Sequence, residues 1–229
     1  FPTRRSSDLS LEGRPDLGIS NPGWPIPVTH VHFSDPSLDA HLRWSDKERE
    51  IVFKTIETNR SSLSTVSFHI SRDYQLAQTD STGQFKPRGE KLDLESMTRN
   101  CDMNLSWLRG FFTGTVLLEN NNFYPTGAYE LSTDPTVISQ LVRSFSDGLL
   151  FDLAHAKVSS HNLGIALESY VAPLLSLPVM QIHLSSPKFV HHDLMIDSHD
   201  LPSEADLDVL QNLFSKQHLA TVSKTDEHY

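Results

Sequence analysis

Thr115-Val116-Leu117-Leu118-Glu119, then Asp134-Pro135 opening a run to Phe145, then Gly148-Leu149-Leu150-Phe151-Asp152 read as strand, helix and strand. The two outer runs are short and apolar. The Asp-Pro pair supplies an N-cap and a proline at the first helical position, where a missing N–H costs nothing. A strand, a crossover helix and a second strand make one βα unit of a parallel sheet. The same alternation continues outward in both directions. Upstream, Ile26 to Phe33 reads as a strand. A charged helix follows over 45–60, with Ile51, Val52 and Ile56 on one face, then a strand over Thr65 to Ile70. The polar stretch 71–90, with Gly83, Pro87 and Gly89, reads as a loop. A helix over 92–108 carries Leu94, Met97, Cys101, Leu105 and Leu108 at helical spacing. Downstream come a helix over 165–175, a strand from Val179 to Leu184, a helix over 203–215 opened by Ser203-Glu204-Ala205-Asp206, and a last strand, Leu219-Ala220-Thr221-Val222. With no internal repeat and no linker, residues 10–229 are expected to form a single α/β domain. The fold expected is a (β/α)8 TIM-type barrel that lacks its first strand through N-terminal truncation.

Phe1-Pro2-Thr3-Arg4-Arg5-Ser6-Ser7-Asp8-Leu9 has no apolar core and so is not a secretory signal. It reads as the translation of a sequencing adapter, a non-native segment set aside from the fold. The 229 residues are enough to bury about 70% of the unfolded surface in one core. Lys and Arg number 19 against 29 Asp and Glu, a net charge of −10, which disfavours a nucleic-acid backbone as partner. Cys101 is the single cysteine, so no internal disulfide is available and nothing points to an oxidising compartment. No apolar run approaches the roughly 20 residues of a membrane span, so a cytoplasmic location without membrane contact is expected.

The 12 histidines stand out, because several fall where a barrel keeps its chemistry, at the carboxyl ends of strands. His30 or His32 ends the first strand, His69 the second, Glu119 the third, and Asp152 the fourth with His155 one turn on. His183 ends the fifth, and Asp197-Ser198-His199 follows in a segment with no helix signal. A histidine at one strand end is ordinarily a hydrogen-bonded structural residue. A barrel, however, gathers consecutive strand ends around one axis, where unpaired carboxylates would repel one another. Carboxylates and neutral imidazoles meeting there are relieved by divalent cations. Without a thiolate, the donor set suits iron, zinc or manganese. The close spacing in Asp152-x-x-His155 and Asp197-x-His199 lets one loop supply two ligands to neighbouring ions.

Gly148 to Gly164 (Gly148-Leu149-Leu150-Phe151-Asp152-Leu153-Ala154-His155-Ala156-Lys157-Val158-Ser159-Ser160-His161-Asn162-Leu163-Gly164) resembles a known group, as do Ile182-His183-Leu184-Ser185 and Ile196-Asp197-Ser198-His199-Asp200. The group is the multinuclear non-haem iron-dependent oxidative enzymes related to the methanobactin-biosynthesis oxidase. The resemblance covers 115–215, and 26–75 more loosely. It implies a barrel of the xylose-isomerase-like superfamily holding two or three iron ions. It also implies use of dioxygen to remodel cysteine residues of a small ribosomal precursor peptide, with a partner protein that recognises the peptide. Carried onto this chain, it implies that Glu119 bridges metals and that Asp152 and His155 serve neighbouring ions. His183, Asp197 and His199 then complete the cluster with His69 and one of His30 or His32. Glu119, Asp152 and His183 are the implied catalytic residues.

Two departures bear on the transfer. Many members carry Asn where this chain has His155, and the Asp-x-x-His form is also similar to the zinc-dependent apurinic-site endonucleases of the same superfamily. A zinc- or manganese-dependent hydrolase or isomerase is therefore the alternative. A late glutamate in a Thr-Leu-Glu-Tyr-like strand is also missing, with Thr221-Val222-Ser223-Lys224 in its place. Of the remaining residues, His161 and Asn162 read either as substrate-facing or as turn-forming. Asn120-Asn121-Asn122 read as substrate or second-layer contacts or as loop. His191-His192-Asp193 read as a polar loop, and Trp24, Trp44, Trp107 and Cys101 as packing.

Overall fold

The structure, a computed structural model, describes the backbone of residues 16–17, 28–40, 42–190 and 193–225, and side chains within 28–40, 42–190 and 193–215. Five strands run parallel in chain order: β2 (His30–Phe33), β3 (Thr65–His69), β4 (Thr115–Glu119), β5 (Gly148–Asp152) and β6 (Val179–His183). A two-residue strand, β1 (Asp16–Leu17), pairs antiparallel along the outer side of β2. Helices α1 (Asp46–Asn59), α2 (Leu94–Arg109), α3 (Pro135–Phe145) and α5 (Leu167–Leu175) return the chain between these strands. Their starts follow the local chemistry. Ser45 and Glu48 close a capping box on α1, and Asp93 caps α2. Asp134 accepts from the N–H groups of Thr136 and Val137 with Pro135 at N1 of α3.

The sheet is curled. In a flat sheet β2 and β6, four strand spacings apart, would be separated by roughly 19 Å. Instead Gln181 Nε2 on β6 donates to His30 Nδ1 on β2 at 3.0 Å, and the His32 and His183 rings lie 5.5 Å apart. Side chains on the concave face therefore meet across an axis, as they do in a βα barrel. The protein is α/β, a partial barrel of the expected TIM type. Five parallel wall strands stand among the described residues rather than eight. The convex face packs under the helices in one core that includes Val31, Phe33, Val66, Phe68, Leu118, Leu149 and Phe151. Trp44 and Cys101 are buried in it, as expected, and Trp107 packs against it, whereas Trp24 and residues 1–9 lie outside the described residues.

Three stretches depart from the sequence expectation. Residues that follow Asp152 form a helix, α4 (Leu153–Leu163), so Asp152 and His155 sit on a strand end and the first helical turn and not on a loop. Leu153, Ala154, His155, Ala156, Val158, Ser159 and Ser160 are all buried, which erases the one-sided apolar period by which a helix is ordinarily read. Its ends were nonetheless written in the sequence, in the Asp152 N-cap and in Gly164 at φ +68°. Asp197 and His199 lie on a hairpin strand, β8 (Met195–Asp200), paired antiparallel with β7 (Ser186–Phe189). Finally, Leu219 to Val222, expected as a strand, falls inside the long helix α6 (Glu204–Thr225). No glycine or proline stands between 204 and 225, so the helix propagates through them. Thr221-Val222-Ser223-Lys224 accordingly does not occupy a barrel strand. Among the described residues no helix is long and apolar enough to cross a membrane.

The loops at the rim are tied down by buried carboxylates. Asp73 accepts from the backbone N–H groups of Leu131 and Ser132, both at 2.8 Å, joining the 71–90 loop to the segment before α3. Asp39 is fully buried and accepts from Ser71 N at 3.1 Å. Burial raises the Asp39 carboxyl to about 6, against the opposing pull of the Ser71 N–H and the Arg72 charge. A carboxyl raised in this way binds its proton in the native state before it does so in the unfolded chain. Stability must then fall as pH rises from about 4 to about 6, by up to about 3 kcal/mol. Asp39→Asn should abolish that component. Denaturant unfolding of both proteins at pH 4 and pH 7 should show the variant gaining on the parent at the higher pH; an unchanged difference would refute the assignment.

Candidate metal centre

Alternation along a strand sends every second side chain into the barrel. On β2 to β6 those positions are His30 and His32, Ser67 and His69, Leu117 and Glu119, Leu150 and Asp152, and Gln181 and His183, and the register steps along the barrel from strand to strand. His32 pairs with Ser67, His69 with Glu119, and Asp152 with His183. On each strand the inward residue nearer the carboxyl end belongs to the polar cluster.

Glu119 is its centre. Its carboxylate is buried, and each oxygen faces a different group. Oε2 lies 2.8 Å from His69 Nε2 and 3.1 Å from His32 Nε2; Oε1 lies 2.9 Å from His183 Nδ1, which is 4.0 Å from Asp152 Oδ2. The ligand atoms of His32, His69 and Glu119 fall within 4.8 Å of one another, and so do those of Glu119, Asp152 and His183. A third group borders the second. His155 Nε2 is 3.2 Å and His199 Nε2 3.0 Å from Asp197 Oδ2, and His155 Nε2 is 3.9 Å from Asp152 Oδ2.

The charges respond to one another. Burial alone would raise the Glu119 carboxyl, but the imidazoles of His32 and His69 and the hydrogen bond from His183 hold it well below its usual range. Desolvation pushes His32 down to about 3, so its ring is neutral, as a ligand must be. His155 goes the other way: burial opposes its charge, yet Asp152 and Asp197 raise it well above the ordinary histidine value. Asp152, desolvated and beside Glu119, is raised despite His155. Three carboxylates in one buried cluster are a repulsive arrangement that cations relieve.

The donor set fits a metal on a specific observation. Glu119 Oε2 is buried yet accepts no well-aligned hydrogen bond, although two imidazole nitrogens stand at contact distance from it. Convergent nitrogens and oxygens that approach without hydrogen-bond alignment are what ligands around a shared cation require. His155 Nδ1 sits 2.8 Å from the Asn120 carbonyl, which accepts its proton and turns Nε2 toward Asp152 and Asp197.

His32, His69, Glu119, Asp152, His155, His183, Asp197 and His199 are thus brought together. His30 is not. Its Nε2 binds Ser67 Oγ at 2.8 Å and its Nδ1 receives Gln181 Nε2, so of the two strand-one histidines His32 is the one that faces the carboxylate. His191 and His192 lie outside the described residues, and His161 turns away to the Asp193 carbonyl at 2.8 Å. Asn162 lies in the last turn of helix α4 rather than in a turn beyond it. Its Oδ1 accepts from Met195 N at 3.0 Å and its Nδ2 donates to the carbonyls of Met195 and Phe123 at 2.9 and 2.8 Å. The amide so holds β8, and with it Asp197 and His199, against α4. Tyr124 Oη accepts from Asp197 N at 3.2 Å on the same edge. Asn120 brackets the Asp152 backbone likewise, N–H and carbonyl both at 2.9 Å. Ser67, Tyr124 and Gln181 were not singled out in the sequence. Ser67 and Gln181 each stand two residues before a strand-end histidine, a spacing that marks the same face.

Residues 94–227, more than half of the chain, match the family model described as RiPP precursor modification enzyme MbnB/TglH/ChrH. A UPF0276 protein of Caulobacter sp. (strain K31) is 32% identical over 102 residues, 43% of this chain and 37% of that protein. The chain thus matches little more than a third of that curated relative's length. Among solved structures, a D-tagatose 3-epimerase-like protein is similar at 15% identity, with a TM-score of 0.39, over 86% of this chain and 78% of its own.

Replacing Asn162 by Ala should cost about 2 kcal/mol of stability, because the Met195 N–H loses its acceptor inside the structure. Amide exchange at Met195 should speed up with it. A variant as stable as the parent, with Met195 equally protected, would contradict the clamp.

Proposed function

The chain belongs to the MbnB/TglH/ChrH family of RiPP precursor modification enzymes, and from that premise we propose that it oxidises cysteine in a ribosomal precursor peptide, using two or three iron ions and dioxygen. One observation carries the proposal: the buried Glu119 carboxylate turns one oxygen to His32 and His69 and the other to His183 and Asp152, which is the geometry of a bridging ligand. On this reading His32 and His69 would hold one ion and Asp152 and His183 a second, with Glu119 available to both. Asp197, His155 and His199 complete the second position or hold a third ion.

Iron bound there would supply one-electron chemistry with dioxygen and a position for a cysteine thiolate. The chain's own residues do the rest. Buried Glu119, Asp152 and His155 keep water from the inner side of the cluster. His199, half exposed, and His183, one-third exposed, stand at the rim from which a peptide would approach. His155, anchored by Asn120, keeps its ring oriented between Asp152 and Asp197. The partners of this reading are a small cysteine-containing peptide and a protein that recognises it, and the setting is cytoplasmic. The net charge of −10 speaks against nucleic acid.

Anaerobic loading with ferrous iron, followed by metal analysis and exposure to dioxygen with a cysteine-containing precursor peptide encoded beside this gene, tests the proposal. Two or three irons per chain, oxygen uptake and a peptide mass change are expected. Glu119→Gln, which removes the charge while keeping the shape, should lose at least one ion and reduce turnover by 100-fold or more, on the order expected for a lost ligand. Retention of zinc or manganese alone, with no turnover after iron loading, would instead favour the hydrolase or isomerase alternative.

A further inference from the structure

We propose that Ser67, His30 and Gln181 form a hydrogen-bond relay that orients His32 for metal binding, and that loading the His32 site fixes the relay in one polarity, with the His30 proton on Nδ1. The inference rests on the metal-centre reading above and extends it to three residues that touch no ligand position directly except through His32.

The relay is a continuous chain. Ser67 Oγ lies 2.8 Å from His32 Nδ1 and 2.8 Å from His30 Nε2, and His30 Nδ1 lies 3.0 Å from the Gln181 side-chain amide. It spans β2, β3 and β6, and Ser67 is fully buried. The hydroxyl has one hydrogen, so it can donate to one ring only, and the other ring must then donate to it. Were both rings to donate, the buried hydroxyl hydrogen would be left without a partner, which burial penalises. A neutral imidazole carries one ring proton, on either nitrogen. Two polarities therefore remain.

Metal binding selects between them. His32 Nε2 faces Glu119 and Nδ1 faces Ser67. When Nε2 gives its lone pair to a metal, the ring's proton must sit on Nδ1 and be donated to Ser67 Oγ. The hydroxyl then donates to His30 Nε2, which becomes an acceptor, and the His30 proton moves to Nδ1. That N–H requires an acceptor, so the Gln181 amide turns its oxygen to it, a half-turn that exchanges the amide oxygen and nitrogen. Each ring keeps one proton throughout, so the net charge of the relay is unchanged. Ser67, His30 and Gln181 are thus positioning residues: they hold the His32 ring with Nε2 toward the centre.

Long-range proton–nitrogen correlation NMR of the full chain labelled with nitrogen-15 histidine, titrated with zinc(II) as a diamagnetic probe, reads both rings separately. Zinc should shift His32 Nε2 to a metal-bound position, and His30 should then show its proton on Nδ1. His30 protonated on Nε2 while His32 is zinc-bound would overturn the relay and leave the metal-centre reading intact. A His32 ring that never shifts with zinc would overturn both. Ser67→Ala, checked for native thermal unfolding, should bind zinc at His32 roughly 10- to 100-fold more weakly and release His30 from a fixed tautomer. A folded variant with unchanged zinc affinity and an unchanged His30 spectrum would overturn the relay. Should it fail to fold, the tautomer of the parent protein decides alone.

Discussion

A carboxylate fully enclosed by protein costs several kcal/mol unless something compensates its charge, and Glu119 is enclosed. Its compensation comes from imidazoles on β2, β3 and β6, with a fourth on α4 at 3.9 Å. Of those strands only β3 adjoins β4, and β2 and β6 each lie two strands away from it. They can surround one side chain only because the sheet closes toward itself, so that β2 and β6 share a hydrogen bond between His30 and Gln181. The curvature and the cluster depend on each other. The polar interior is tolerated because its charges are paired, and they are paired because the wall is bent.

Around that centre the same physical device appears twice. A side-chain amide carries one donor and one acceptor in a plane, so it can pair with a peptide group as a neighbouring strand would. Asn120 does this to Asp152, and Asn162 to Met195. In both cases the backbone so held leads directly to a candidate ligand. The β8 strand needs such help, because its sheet has two strands and His199 adopts φ +48°, an uncommon conformation for a side-chain-bearing residue. Rigid support of this kind keeps ligand atoms within the few tenths of an ångström that coordination demands.

The wall strands and most helices were legible because their signals are local. Asp134-Pro135 marks the start of α3, and the β4 and β5 runs coincide with the strands observed. Helix α4 was not read, since a helix buried on nearly every side has no amphipathic period, although Asp152 and Gly164 marked both ends. The strand read at Leu219 to Val222 was a β-branched cluster carried along by an already propagating helix. Among the candidate ligands, the strand-end pattern singled out the residues that converge. The choice between His30 and His32 could not be made from their spacing, because two residues apart on one strand share a face.

What the sequence by itself determined is the order of strands and helices and the residue types at the strand ends, because capping, periodicity and strand alternation act over a few residues. Tertiary structure alone decided which nitrogen faces what. His30 and His32 are separated by the hydroxyl of Ser67 and the amide of Gln181, 37 and 151 residues away from His30 in the chain. It also decided that Asn162 clamps the Met195 backbone. Those assignments depend on donors and acceptors meeting across the barrel, and no local pattern records which distant group will supply the other half of a hydrogen bond.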